Sequence, residues 1–384
     1  HDRLPRELAP GATAEWITYY GLAGSGVKTL EEDSLGRIWM GHLNGGLTIF
    51  DGSHFTKPKF RDITIDSDIT EIKQFGGYLW LSTARNGSIK TDIPAPGDSI
   101  LTGKQYRGGE GLSPQVTSSC VDRNNDLFFI TDVGIKKYNR QKDTFETFRP
   151  DSLTKFFWTT FMFQDSRGNY WYGTHNGGLY KFEKASGRMR FFDIRDGLAR
   201  QTTSYITEDY RGRIWAGSWG GGITVFDGER MTVYSKSNGL EASSIECILE
   251  DKEKNMIIAD KYSGISIFKG DHLITWSDET LLPDKNVFAI EEDSKGNYWF
   301  GTNTGISVFN PHSPDPYKAT FYTDEKNSIG SKMRFIKSDS KGNIWIGTED
   351  RGVIRYDMQT GRFVFDIRLN SYFHSNSIIT ALEI

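Results

Sequence analysis

Short apolar runs broken by polar, glycine-bearing turns recur along the whole chain, and one stretch shows the pattern clearly. Residues 287–310 read VFAIEE, then DSKGN, then YWFGT, then, after Asn303 and Thr304, GISVFN. The first run predicts an inner strand over Val287 to Glu292. In the turn that follows, Asp293 can accept bonds from the backbone ahead of it and Gly296 can take positive φ. YWFGT is continuously apolar rather than alternating, which predicts a strand buried on both faces. Its glycine lets another backbone approach closely. GISVFN returns as a third strand, and a fourth, such as RMRFFDI at 188–194, closes the unit.

The unit repeats. EDSLGRIWMGHLNGGLTIFDG begins at Glu32, EDYRGRIWAGSWGGGITVFDG at Glu208, EDSKGNYWFGTNTGISVFN at Glu292 and SDSKGNIWIGTEDRGVIRYD at Ser338. GNYWYGTHNGGLYKF around Trp171 is a fifth copy, and weaker copies surround Trp80 (GGYLWLSTARNGSIKTD), Phe128 (NNDLFFITDVGIKKYN) and Ile257 (EKNMIIADKYSGISIFKG). The anchors 39, 80, 128, 171, 215, 257, 299 and 345 lie 41 to 48 residues apart. A period of roughly 40–50 residues with four strands per unit predicts a β-propeller, because one blade cannot bury both its faces and a ring of blades can. The fold class is therefore all-β, a β-propeller of four-stranded blades in eight repeats. Eight blades in one ring are favoured, with seven blades plus an overhang as the alternative.

The ends add strands. WITYY (16–20) matches an outermost strand and SIITALEI (377–384) an innermost one, although the last unit already has an outer strand in RFVFDI (362–367). The expected organisation is an N-terminal extension over 1–15 and a propeller over 16–384, cut from a longer repeat array. The chain opens HDRLPREL without an apolar leader, which fits a removed signal or a start downstream of one.

The phrase ED-x-x-G-x-[IY]-W-x-G-T followed by G-G-[LI]-x-x-[FY]-[DN], seen with small departures at 32–51, 208–227 and 338–357, resembles the two-component regulator propeller repeat. The linking phrases RDGLARQTTSYITED (195–209) and SNGLEASSIECILED (237–251) resemble it too. This resemblance implies the extracytoplasmic sensor part of a membrane-bound signalling protein, often a hybrid histidine kinase, with glycans or their fragments as ligands. It also implies a periplasmic or extracellular location and, as partners, a neighbouring propeller or a second protomer. Nothing in the 384 residues resembles a kinase, a receiver or the small β-sandwich that usually follows such propellers.

Composition narrows the functions. With 46 basic and 50 acidic residues the formal charge is −4, which gives no field to attract a nucleic acid. No apolar run reaches the roughly 18 residues of a membrane helix; FFWTTFMF (156–163) is short and broken by threonines. The 41 glycines and 14% aromatics suit strands and tight turns. Cys120 and Cys247 belong to different repeats and read as buried thiols.

Two sets of connections remain as places for chemistry. Asp33, Asp165, Asp209, Asp251, Asp293 and Asp339 recur in the first turn of the unit and read as turn caps rather than a calcium ladder, since a hard ion needs several oxygens converging on one point. The connections between second and third strands differ from copy to copy: GHLNGG, STARNGS, ITDVG, GTHNGG, GSWGGG, ADKYSG, GTNTG and GTEDRG. Loops that vary on a rigid scaffold are where binding groups sit. The candidates are His42, Asn44, Arg85, Asn86, Asp132, His175, Asn176, Trp219, Lys261, Tyr262, Asn303, Glu349, Asp350 and Arg351. Trp219 and Tyr262 could offer flat faces to sugar rings, while Arg85, Arg351 or Lys261 could meet a carboxylate or sulfate. The expected partner is an oligosaccharide or other small ligand, with no cofactor and no metal.

A longer connector, FRPDSLTKFFWTT (148–160), carries Phe156, Phe157 and Trp158 either at the channel mouth or at the start of an inner strand. Two alternatives to a sensor stand. A propeller lyase acting on a polysaccharide or cyclic antibiotic would use His42 or His175 as base and Tyr262 as acid. A protein-interaction ring would use the same variable face. No H-E-x-x-H, G-x-S-x-G or Cys/His metal spacing occurs, and the glycines of GSWGGG precede no helix.

Overall fold

A computed structural model describes residues 17–18, 27–148, 159–276, 280–314, 318–323, 329–348, 352–363 and 365–366. It contains eight four-stranded antiparallel sheets in chain order. Their inner strands are Val27–Glu32, Ile69–Phe75, Val116–Val121, Thr159–Gln164, Thr203–Glu208, Ile245–Glu250, Val287–Glu292 and Met333–Ser338. These open blades one to eight. Residues 1–15, SIITALEI and most of the 148–160 connector, including Phe156, Phe157 and Trp158, lie outside the described residues. Ile17–Thr18, within WITYY, pairs in parallel with Phe365–Asp366 at the edge of blade eight.

The second strand of each blade is the buried one. Ile214–Ser218 and Tyr298–Thr302 are buried at every position, as a strand covered on both faces requires. Trp215 of blade five packs with Ile245, Ile248, Ile258 and Phe268 of blade six, so the core lies in the seams between blades. A Cβ added to Gly217 would meet Ile245 Cγ2 at 2.6 Å, which explains the glycine after the aromatic.

Each turn aspartate closes its own blade. Asp209 accepts from the backbone N–H of Arg211 and Arg213, from Arg213 Nε at 2.7 Å and from Trp215 Nε1 at 2.8 Å. Asp33, Asp165, Asp293 and Asp339 receive the corresponding tryptophan N–H at 2.8–2.9 Å. In blades three and six, which have Phe128 and Ile257 in place of tryptophan, the free acceptor is taken by a tyrosine of the next blade. Tyr170 Oη donates to Asp122, and Tyr298 Oη donates to Asp251 at 2.5 Å.

Neighbouring blades are also tied at the turn end. The last side chain of one inner strand accepts the turn N–H of the blade before it, as Glu208 does from Ser166 at 2.6 Å and Glu250 from Tyr210 at 2.6 Å. Glu32 of blade one does the same for Ser340 of blade eight, at 2.9 Å for the N–H and 2.6 Å for the hydroxyl. Val27, Leu30 and Met40 pack there with Phe335, Trp345 and Val353. The ring therefore closes on eight blades.

The linkers position the opposite end. In the DGL phrase, Asp196 accepts from the Asp193 N–H at 2.9 Å, Gly197 takes φ 99°, and Leu198 is buried. The NGL phrase repeats this with Asn238, Gly239 and Leu240. Among the described residues no helix is long and apolar enough to cross a membrane, and no group of three or more His, Cys, Asp or Glu side chains is placed to hold a metal ion. Neither Cys120 nor Cys247 forms a disulfide, and both are half-buried rather than fully buried; burial pushes the Cys247 thiol up to about 12.

Candidate functional site

Each inner strand enters the ring from the loop end through an irregularity. The register skips one residue between Val27 and Thr29, and at the matching place in every other blade. The eight skipped residues are Lys28, Thr70, Thr117, Thr160, Ser204, Glu246, Phe288 and Arg334. A bulge re-aims a side chain, and here it does so at the channel mouth. Blades two to five carry hydroxyls. Thr70, Thr160 and Ser204 donate to Val116, Thr203 and Ile245 carbonyls at 2.6–2.8 Å, each on the next inner strand.

Blades six, seven, eight and one are charged or aromatic at these positions. Arg334 lies 4.3 Å from the Phe288 ring centroid, and Lys28 pairs with Asp68 at 3.3 Å. Burial raises the Glu246 carboxyl above the usual range, and the positive charges of Lys261 and Arg334 only partly offset it. The loop end is thus hydroxylated on one side and carries on the other an acid that feels the charges of Lys261 and Arg334.

Loops of blades four, five and six lie where the hydroxyl side meets the charged side, which begins at blade six. His175 and Trp219 meet edge to face with ring centroids 6.2 Å apart. Trp219 bridges to Ser244, whose carbonyl accepts from the Lys261 N–H at 2.9 Å. The Lys261 ammonium stands 5.6 Å from the Tyr262 ring centroid, and Tyr262 is 59% exposed. Asp260, beneath them, is buried and accepts from the backbone of Ser243, Ser244 and Tyr262 at 2.6–2.7 Å, which fixes the loop. Of the sequence candidates, His175, Asn176, Trp219, Lys261 and Tyr262 fall into this sector.

The remaining candidates are placed differently. His42, expected on an exposed loop, ends the second strand of blade one, is fully buried and bonds Thr48 Oγ1 at 2.8 Å. Asn86, also expected to face solvent, is buried and accepts from Ser67 at 2.5 Å, because the blade-two loop folds over its own linker. Asn44 and Asn176 hold φ 58° and 62°, a left-handed conformation that asparagine tolerates, so their identity is accounted for by the turn. Arg85 donates to the Asp66 carbonyl at 3.3 Å, and Asp132 accepts from Ser113. Asn303 is half-buried, and its main chain accepts from the Lys332 N–H at 2.8 Å. Glu349, Asp350 and Arg351 lie outside the described residues. Sequence reasoning missed Glu246, Phe288, Arg334 and Lys28; their shared position, second in each inner strand, was the available signal.

Comparison with known proteins adds three structural likenesses. The extracellular domain described as that of a hybrid two component system, BT3049 of B. thetaiotaomicron, is 20% identical with a TM-score of 0.54, over 86% of this chain and 56% of that one. This chain thus spans little more than half of that domain. The computationally designed Ika8 protein is 12% identical with a TM-score of 0.61, over 88% and 98% of the two chains. A catalytically inactive virginiamycin B lyase from Staphylococcus aureus, solved with quinupristin, is 10% identical with a TM-score of 0.51, over 87% and 95%. At these identities the likenesses establish the propeller fold. No curated protein matches the sequence. Residues 281–304, which hold the linker, inner strand and second strand of blade seven, match the family model of the two component regulator propeller. The matched stretch contains the ED-x-x-G-x-[IY]-W phrase of blade seven, Glu292 to Trp299.

Proposed function

We propose that this propeller is a ligand-binding sensor module working outside the cytoplasm, and that it takes an extended saccharide across the loop end of blades four to six. The observation that carries this reading is the junction of Trp219, Tyr262 and His175 with Lys261, Glu246 and Arg334, two aromatic surfaces beside charged hydrogen-bonding groups at the channel mouth. Stacking on an aromatic face plus a few placed polar groups is how a concave or shelf-like site holds a polyhydroxylated ligand. The likeness to the BT3049 extracellular domain supports the location and the sensor role. Binding would be passed on by changing how the ring packs against a neighbouring propeller or a second protomer, which needs different ligand affinities in two arrangements.

The likeness to virginiamycin B lyase favours a second reading, in which the same end performs an elimination. His42 cannot serve it, being fully buried and three blades from His175. A thermal-shift and calorimetric screen of neutral, uronate and sulfated oligosaccharides tests the sensor reading. Saturable binding that Trp219→Ala and Tyr262→Ala abolish supports it; absence of binding together with release of an unsaturated product would replace it with the lyase.

A further inference from the structure

Blade two differs from its neighbours at the turn end. Its first turn is Gly76–Gly77, with no carboxylate, and the Trp80 Nε1 is fully buried with no partner among the described residues. A carboxylate arrives from the next blade instead. Asp143, held at φ 53° in the last turn of blade three, accepts from Tyr106 Oη at 2.6 Å, Tyr138 Oη at 2.5 Å and Lys104 Nζ at 2.6 Å. Lys90 lies 3.4 Å from the same carboxylate, donates to Tyr138 Oη at 2.9 Å and stands 4.3 Å from the centroid of Tyr78.

This clamp borders a cavity of about 290 Å³, which reaches from the third and fourth strands of blade two to Asp143. That volume is at the small end of the ligand-pocket range of roughly 300–1,000 Å³, room for one ring-sized molecule. Tyr78 is 38% exposed. Around the cavity the Tyr78 phenol, the Asp92 carboxylate and the Thr102 hydroxyl have no protein partner among the described residues, although Asp143 and the lysines are engaged. Two lysines face two aspartates, so the lining carries no net charge to favour an ion.

An aromatic ring, a carboxylate that can accept from two adjacent hydroxyls, and a hydroxyl that both gives and accepts form a complement to a neutral sugar. We propose that this cavity between blades two and three is a second, independent binding site, taking a single neutral hexose unit at the end of the ring opposite Trp219 and Tyr262. It does not depend on the loop-end reading, and the two fail separately.

The test is saturation-transfer NMR on the full chain with glucose, galactose and mannose and their methyl glycosides as probes, at about 1–20 mM to cover weak, millimolar binding. Transfer from at least one hexose is expected in a Trp219→Ala variant, which lacks the loop-end site, and on that background Tyr78→Ala and Asp92→Asn each lower the affinity tenfold or more. Equal transfer from the methyl glycoside identifies the ligand as a unit of a glycan chain; transfer from the free sugar alone identifies a monosaccharide. No transfer from any hexose, transfer abolished by Trp219→Ala, or transfer in the Trp219→Ala background that persists when Tyr78→Ala and Asp92→Asn are added to a folded variant overturns the proposal. A circular dichroism melt confirms that each variant is folded.

Discussion

The two ends of the ring are built from the same eight repeats and to opposite rules. At the turn end, Asp33, Asp165, Asp209, Asp293 and Asp339 each receive an indole N–H and backbone N–H groups in the same geometry. At the loop end, the eight corresponding positions hold lysine, four hydroxyl residues, glutamate, phenylalanine and arginine. One end repeats a solution to a folding problem, the closing of a blade around a buried indole. The other keeps its backbone and changes its chemistry, as expected where the scaffold is rigid and the contacts are free to diverge.

If the turn end holds the fold, breaking it should have the largest effect on stability. Asp209→Ala leaves Arg213, the Trp215 N–H and two backbone N–H groups without their acceptor, and should lower the unfolding free energy by about 3–5 kcal/mol. Urea denaturation reads this directly. A change below about 1 kcal/mol would remove the distinction between the ends.

A somewhat smaller effect is expected at Glu71, in the seam between blades two and three. Burial pushes its carboxyl up to about 7 from an ordinary value near 4.5, even though the backbone N–H of Ser119 and the Ser118 hydroxyl pull it down. The native state thus holds the proton more tightly than the unfolded chain. The group costs nothing below about pH 4.5, and destabilises increasingly as the pH rises to 7 and just beyond. Converted at 1.36 kcal/mol per unit, the cost approaches about 3 kcal/mol above that range. Glu71→Gln should flatten this part of the stability–pH curve, measured by denaturation from pH 5 to 8; an unchanged slope would mean that Glu71 ionises normally.

Tyr298→Phe tests the substitution across the blade six–seven seam. It removes one donor to the Asp251 carboxylate and should cost about 2 kcal/mol, whereas Tyr210→Phe, on an exposed side chain, should cost close to nothing. At the loop end, Trp219→Ala should change stability least, by about 1 kcal/mol or less, yet reduce saccharide affinity at least tenfold in calorimetry. The reverse outcome, a collapsed fold with affinity retained, would make Trp219 a packing residue.

The blade plan was legible because YWFGT and its relatives are apolar at consecutive positions, and the structure buries all five residues of Tyr298–Thr302. Turn aspartates were legible as caps for the same reason: their partners are two to six residues away in the sequence. Asp122 escaped because its turn lacks the E-D phrase as well as the glycine and tryptophan, whereas Asp251 keeps the E-D phrase, and Tyr170 escaped because its bond to Asp122 spans 48 positions. The channel-mouth residues were hidden by the bulge, which breaks the alternation of each inner strand and turns one side chain away from where a regular strand would send it. His42 was misplaced on an exposed loop although it stands where Thr302 ends YWFGT, at the last position of the buried second strand.

The seam between blades one and eight has a consequence for how the chain can be cut. Glu32 and Ser340 lie 308 positions apart, yet their bonds match those of Glu208 and Ser166, which are 42 apart. Loop closure costs grow only slowly with length, so sequence distance adds little penalty once the ring is complete. The folded molecule thus has no privileged opening among its eight seams. A circular permutant that joins the present termini by a flexible linker and begins in the linker before Thr203 should assemble the same ring, with the former terminal seam now internal. Its refolding would then report whether the order in which blades are made, rather than the order in which they sit, governs assembly.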